Sequence, residues 1–340
     1  MTTIKDVARE AGVTPATVSY VLNNTGRVSE ATRQRVMAAA RRLNYRPSII
    51  AQNLRAGESR IIGYAWHRGI PGDWTPVMQE FLYSISESAE REGYHILTFI
   101  ADSDDPVASY LTLADTGRVD AFVLAYTVQD DPRVRRLLDL GIPFVSFGRA
   151  NDQWDFPFVD VDGENGMAQI TNHLLACGHQ RIALVTWPKS SLTGEYRQQG
   201  YLRSLEQAGI EINPQWITTA KNIAHDGYLA AQRLMELPAP IRPTAIACVS
   251  DMIAIGVMQF LNEAGYVVGR DIAVTGFDDI PMADHLNPPL TSVRQPLDLV
   301  GEQMIALLLS ILRGERLDRY QILIKPTLMI RASSDSSRTS

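Results

Sequence analysis

Residues 3–57 read TIKDVAREAGVTPATVSYVLNNTGRVSEATRQRVMAAARRLNYRPSIIAQNLRAG, and this stretch decides the fold of the amino-terminal part. Thr3 followed by Asp6 fits a capping box, and Ile4, Val7, Ala8 and Ala11 then share one helical face. Gly12 ends that helix in a tight turn. Thr14 caps a second helix with Pro15 in its first turn, where a missing N–H costs nothing. Ser29 caps a third, whose buried stripe is Val36, Ala39, Ala40 and Leu43. Two helices joined by a short Gly-containing turn describe a helix-turn-helix.

The second of these helices carries the functional expectation. Val18, Val21 and Leu22 form its inner side. Pro15, Ala16, Thr17, Ser19, Tyr20 and Asn23 form its outer side, small or polar enough for the helix to approach base edges in a major groove. A scaffold with a solvated face would need no particular charge. Residues 1–60 instead carry ten Lys and Arg against four Asp and Glu, a net of +6, in a chain whose total is −6. A basic head on an acidic body suits a phosphate-binding module joined to a part that avoids DNA. Arg27, Tyr45 and the capped helix starts at Thr3, Thr14 and Ser29 complete the expected DNA-binding set.

At 340 residues, 45% hydrophobic and 21% charged, the chain has room for two or three domains with ordinary cores. Cys177 and Cys248 fall in apolar patterns and read as buried core thiols. No signal pattern opens the chain and no apolar run reaches spanning length, so a cytoplasmic, nucleoid-associated protein is expected, with no membrane partner. The tail after residue 331 has no apolar content and reads as disordered over 332–340.

Beyond Arg46-Pro47, residues 48–54 form a short segment with helical potential and 55–59 an exit. An isolated helix of that length is marginal unless a partner supports it. From Arg60 the pattern changes to strands alternating with helices: strands at 61–66, 95–100, 121–125 and 144–147, with helices at 76–92, 106–115 and 132–140. A second series starts near 158–161. It continues with helices at 164–176, 195–208, 228–235 and 252–264 and strands at 182–186, 245–249 and 272–275. Residues 291–293, a helix at 297–312 and strands at 321–324 and 327–330 follow. Near-continuous apolar strands indicate parallel sheets covered on both faces. The expected fold is an all-α helix-turn-helix head plus an α/β core of two doubly wound parallel-sheet subdomains with a cleft between them.

Ligands in such sheets bind beyond the carboxyl ends of the strands. The residues found there are Trp66, Trp74, Tyr126, Gly148, Arg149, Trp187, Arg197, Ser250, Asp251 and Asp278. Aromatic faces that cover C–H patches, together with carboxylates and an arginine that grip vicinal hydroxyls, describe a carbohydrate pocket. Asp251 also stands where a helix cap would.

The run DVAREAGVTPATVSYVLNN, then VSEATRQRV, LNYRP and AQNLRAG, resembles the start of the LacI/GalR (lactose-repressor) family. The resemblance continues at GHQRIALV, RQQGYLRSL, DMIAIGVMQFL, GFDDIP and PPLTSVRQP. It implies a core like type I periplasmic binding proteins and a hinge helix that enters the minor groove at the operator centre, with Ala51 and Leu54 against DNA and Leu54 wedging a base step. It also implies effector contacts from Arg197 in Arg197-x-x-Gly200 and from Asp278 in Gly276–Asp279, and three chain crossings between subdomains, near 160–163, 288–292 and 325–326. Two departures stand out: Ser250 where relatives often have Asn, and Gly148 where they often have Asp. The space this leaves, and five tryptophans, favour a glucoside or oligosaccharide over a purine. The expected domains are 1–47 (head), 48–59 (hinge) and 60–331 (core). The core divides into a first subdomain of about 60–160 and 292–324 and a second of about 162–288 and 326–331.

No phosphate loop, dinucleotide fingerprint, nucleophile elbow, H-E-x-x-H or Cys-x-x-Cys is present, and the six histidines show no metal spacing. The expectation is a non-enzymatic, sequence-specific transcriptional regulator, a repressor of carbohydrate-utilisation genes. It binds a pseudo-palindromic operator as a homodimer or as a tetramer built from it, and needs no cofactor and no metal. The alternatives are a sugar-binding protein or glycoside-processing enzyme without DNA readout, or a regulator sensing a purine or nucleoside.

Overall fold

The computed structural model describes residues 2–22, 26–45, 58–66, 76–102, 104–189 and 191–335. Met1–Arg60 and Ile61–Ser340 form separate compact units.

The first unit holds α1 (Ile4–Ala11), α2 (Pro15–Leu22) and α3 (Glu30–Arg42). Their starts are fixed locally. The Thr3 amide and hydroxyl both donate to Asp6 Oδ2, at 2.9 and 2.7 Å. The Thr17 amide donates to Thr14 Oγ1 at 3.2 Å, and the Thr32 amide to Ser29 Oγ at 3.3 Å. Gly12 stops α1 in the left-handed region, φ 63°, where a side chain would be strained. Val7, Val18 and Val36 are fully buried and meet at the centre, ringed by alanines of α1 and α3.

The second unit contains two six-stranded sheets. Its elements in chain order are β1 (Ile61–Trp66), α4 (Pro76–Arg91), β2 (His95–Ile100), α5 (Ala108–Asp115), β3 (Ala121–Leu124), α6 (Pro132–Leu140), β4 (Phe144–Phe147), β5 (Phe158–Val161), α7 (Gly163–Ala176), β6 (Ile182–Thr186) and α8 (Leu192–Gln207). They continue with β7 (Ile217–Thr219), α9 (Ala224–Met235), β8 (Ala245–Cys248), α10 (Asp251–Glu263), β9 (Ala273–Asp278), β10 (Thr291–Arg294), α11 (Leu297–Leu312), β11 (Gln321–Ile324) and β12 (Thr327–Met329). The first sheet runs β11-β5-β4-β3-β1-β2, all parallel, and the second β12-β10-β9-β8-β6-β7, with only β12 antiparallel. Central strands such as β3, β6 and β8 are buried throughout because helices cover both faces. In each sheet the strand order reverses, beside β1 and beside β6, and a crevice forms at such a switch point.

Several expectations are corrected. The strand at 158–161 does not open the second series: it pairs with β4 and β11 in the first sheet, and the chain crosses at Asp162, which caps α7 and lies inside the 160–163 stretch expected for the first crossing. Residues 291–294 pair with β9 and so belong to the second subdomain, which puts the second crossing at Gln295-Pro296. The third crossing is Lys325-Pro326, between β11 and β12. Residues 332–335, expected to be disordered, pack on the second sheet. Ser333 is fully buried, its hydroxyl donating to Val274 O (2.6 Å) and accepting from the Thr291 amide (2.8 Å). Short polar side chains can fill a sheet edge when each finds a partner. Cys248 is buried, but Cys177 is exposed because it caps the end of α7. His179 forms a hydrogen bond with Thr244 Oγ1 at 3.0 Å.

Candidate functional site

On the head, α2 turns Pro15, Ala16 and a half-exposed Tyr20 outward, with Thr17 and Ser19 at the margin. Arg9, Arg33 and Arg42 pair with Asp6, Glu30 and Glu10. Among the described residues no ion pair is formed by Lys5, Arg27, Arg35 or Arg41, which leaves cationic groups for phosphates. Tyr45 packs half-buried on the head core. Asn23, Ala51 and Leu54, and Trp74 of the core, lie outside the described residues.

In the second unit a cavity of about 330 Å³ opens between the two sheets at the carboxyl ends of their strands. Tyr126, Gly148, Trp187, Arg197 and Asp278 all line it. Arg197, on α8, is 4% exposed. Its Nη1 donates to Val249 O and stands 3.6 Å from Asp278 Oδ1. The guanidinium lies 3.6 Å from the Phe277 ring centroid and 5.0 Å from that of Trp187. Burial pulls the arginine pKa down, and Asp278, Asp160 and Asp251 push it back up. Arg197 Nε and Trp187 Nε1 are buried without a hydrogen-bond partner among the described residues, and such donors favour a ligand that accepts from them.

Asp278 ends β9 with φ 117° and Asp279 follows with φ 54°, a turn that costs of order 1–3 kcal/mol per strained residue. Its neighbours hold it in place. Asp279 is gripped by Arg331 Nη1 at 2.6 Å and Arg294 Nε at 2.7 Å, and its amide donates to Ser292 Oγ at 3.0 Å. Asp279 is thus a clamp, while Asp278 turns to the cavity and accepts from Gln295 Nε2 at 2.7 Å. Burial raises the Asp278 pKa from 3.8 to about 6, opposed by Arg197 and Gln295. A carboxyl with a raised pKa loses folded-state stability as pH climbs from 3.8 to about 6, and that cost is complete above. A ligand whose hydroxyls donate to the anion would reverse the shift. Effector affinity is therefore expected to be greatest above pH 6 and to fall, by at most about tenfold per unit, as pH drops through 6. Calorimetry from pH 7.5 to 5 checks this, and Asp278→Asn should flatten the profile.

Four expected site residues do not line the cavity. Trp66 packs edge-on against Tyr64, with centroids 5.8 Å apart. Arg149 sits one layer behind, its Nε donating to Asp160 Oδ2 at 2.9 Å. Ser250 caps α10 and donates to Asn222 Oδ1 at 2.6 Å, so it orients a lining residue. Asp251 is fully buried and accepts from Ser292 Oγ at 2.5 Å and the Ile280 amide at 2.8 Å. A β-carbon at Gly276 would meet its Oδ1 at 2.1 Å, which explains the glycine in that motif.

The sequence reading missed Asp160, Asn222 and Gln295, which all line the cavity. Gln295 follows β10 and Asn222 follows β7. The strand-end rule would have found both had those strands been placed in the second sheet. Asp160 lies within a strand read as apolar. Arg133 also went unnoticed. It donates to the carbonyls of Ala125 and Tyr126, both at 3.1 Å, and holds the loop that presents Tyr126. Between the subdomains the Tyr196 hydroxyl donates to Asp152, and the Arg149 guanidinium lies 3.3 Å from the Tyr196 ring centroid.

Residues 3–48 match the family model for bacterial regulatory proteins of the lacI family, and residues 70–332 match that for periplasmic binding proteins and the sugar binding domain of the LacI family. The chain is 32% identical over 335 residues to the HTH-type transcriptional regulator AglR of Rhizobium meliloti, covering 97% of this chain and 94% of that protein. It is 32% identical over 337 residues to the HTH-type transcriptional repressor PurR of Mannheimia succiniciproducens, covering 98% of each. The fold is similar to that of the lac repressor dimer bound to operator and the anti-inducer ONPF, with a TM-score of 0.86 at 27% identity over 98% of this chain and 99% of that one. With a helix-turn-helix head, two parallel-sheet subdomains and a cleft set between them, the chain belongs to the LacI family and is a DNA-binding transcriptional repressor.

Proposed function

We propose that this repressor controls carbohydrate-utilisation genes in the cytoplasm, acting as a homodimer on a pseudo-palindromic operator, and that a small sugar in the core cavity changes its operator affinity. The observation that carries this reading is the buried Arg197–Asp278 pair beside Trp187. The pair offers a fork of donors and an acceptor to vicinal hydroxyls, and the indole covers a C–H face. The sugar shifts the operator equilibrium only as far as its affinities for the two core arrangements differ. Twin heads related by two-fold symmetry would match an inverted repeat.

The test uses the full-length protein. Genomic fragments are titrated by gel shift at moderate salt, and thermal shift is run against mono- and oligosaccharides, nucleosides and nucleobases. A palindromic fragment preferred over random duplex, with affinity altered by a sugar that also raises Tm, supports the reading. Stabilisation by a purine and by no sugar overturns it. For the hinge, Leu54→Ala is expected to weaken specific operator binding by about tenfold or more, as loss of a wedge would. Non-specific binding and head folding should not change. Unchanged specific affinity removes the assignment of Leu54 as the wedge.

A further inference from the structure

Side chains, as well as chain crossings, join the two subdomains. Tyr196 lies on α8 in the second and is 8% exposed. Its hydroxyl donates to Asp152, in the loop after β4 of the first. Arg149, from that same loop, sets its guanidinium 3.3 Å from the Tyr196 ring centroid, well inside the roughly 6 Å over which a ring face holds a cation. Arg149 Nε also donates to Asp160 Oδ2 at 2.9 Å, which fixes the cation in its own subdomain. Burial and the hydrogen bond to Asp152 both raise the Tyr196 pKa, so the hydroxyl stays protonated and keeps donating.

Both halves of this contact stand on firm supports. In the first subdomain, Gly148 turns the chain with φ 97°, and a β-carbon there would meet Thr127 Oγ1 at 2.9 Å. The Thr127 hydroxyl donates to Arg149 O at 3.1 Å and the Asp130 amide to Ala150 O at 2.9 Å. The Asn151 side chain donates to Asp130, and the Gln153 amide donates to Asn151 Oδ1 at 2.7 Å. Glycine at 148 thus serves the turn that aims Arg149. In the second subdomain, Tyr196 stands next to Arg197 and about one turn before Gly200, where α8 packs directly on the backbone of α7. A rotation of one subdomain against the other carries Tyr196 away from Asp152 and Arg149 together.

We infer that Arg149, Asp152 and Tyr196 form a latch that holds the two subdomains in this arrangement. It is built from the chain's own side chains, so it biases the equilibrium between arrangements before any solute acts. The inference goes beyond the sugar reading and stands whatever solute the cavity takes. Because Tyr196 and Arg197 share α8, a solute that pulls on Arg197 also loads the latch.

The experiment measures the distance between subdomains in the full-length protein by pulsed electron paramagnetic resonance. Spin labels are attached through Arg136→Cys on α6 and Gln207→Cys at the end of α8, both exposed positions, in a Cys177→Ser background, and the remaining Cys248 is buried. Labelled chain is diluted into unlabelled chain so that only pairs within one chain are read. Tyr196→Phe and Asp152→Ala each remove the hydrogen bond, and Tyr196→Leu removes the ring as well. Asp152 is exposed, so its replacement does not put folding at stake. Each variant is expected to shift and broaden the distance distribution, Tyr196→Leu most. Tyr196→Phe combined with Asp152→Ala should do no more than either alone, because the two share one bond. An unchanged distribution in either Asp152→Ala or Tyr196→Leu overturns the latch, even where Tm falls, since lost packing alone lowers Tm. Additive shifts from Tyr196→Phe and Asp152→Ala overturn it too.

Discussion

Arg197→Ala is expected to abolish the response to effector while leaving operator binding intact. The guanidinium is 4% exposed and stands among Asp278, the Val249 carbonyl and the Phe277 and Trp187 rings. Its removal leaves Asp278 buried with Gln295 as its remaining side-chain partner among the described residues. Removing one member of a buried ion pair typically costs about 3–5 kcal/mol, and part of that cost will lower the Tm of the core. Effector affinity should fall about a hundredfold or more, since about 2.7 kcal/mol is two decades. The head is a separate compact unit with its own core, so operator affinity without effector should stay near the wild-type value. Arg197→Lys should recover charge but not the planar fork, and so only part of the affinity. Calorimetry alongside gel shift makes the comparison. A mutant that binds sugar as the wild type does would remove Arg197 as the anchor.

Gly200→Val is expected to do comparable damage without touching a lining residue. A β-carbon at Gly200 would sit 2.1 Å from Glu164 O and 3.1 Å from the Ala168 amide nitrogen. Both atoms are backbone of α7, so no side-chain rotation relieves the clash and the helices must part. Overpacking of this kind costs about 1–3 kcal/mol, and more when the obstacle is backbone. At roughly 2–4 °C per kcal/mol for a domain of this size, the melting temperature should fall by several degrees. Arg197 lies one turn before Gly200 on the same helix, so its position moves too, and effector affinity should drop with Tm. Gly256→Ala provides the control. Its β-carbon would meet Ala224 O at 1.7 Å, where α9 packs on α10. It should lower Tm while sparing Arg197. If both variants reduce sugar binding equally, general destabilisation explains the loss and α8 placement does not.

The head was legible because its signals are local. Caps at Thr3, Thr14 and Ser29 and the turn at Gly12 depend on neighbours within a few residues. The core strands were legible as apolar runs, but their sheet membership was not. Whether residues 158–161 or 291–294 belong to one sheet or the other depends on pairing, with β11 far along the chain for the first and with the preceding strand β9 for the second, and pairing leaves no local mark in the sequence. That error carried into the site: once β10 is in the second sheet, Gln295 falls at a strand end beside Asp278. β7 is three residues at a sheet edge, too short to show alternation, and Asn222 was lost with it. Asp251 shows the opposite failure. Residue type and position both suited a ligand, and only the geometry reveals that its oxygens are taken by Ser292 and Ile280.

The three crossings between the subdomains lie side by side. Val161 and Ile324 are register partners where the first and third leave one sheet, and Arg294 and Thr327 are partners where the second and third join the other. Three adjacent tethers of one or two residues hold the lobes together at one side, so a rearrangement of the lobes is a rotation about an axis near these tethers. A bound solute that changes contacts by a fraction of an ångström near that axis is read out as an angle, and the displacement grows with distance from the axis.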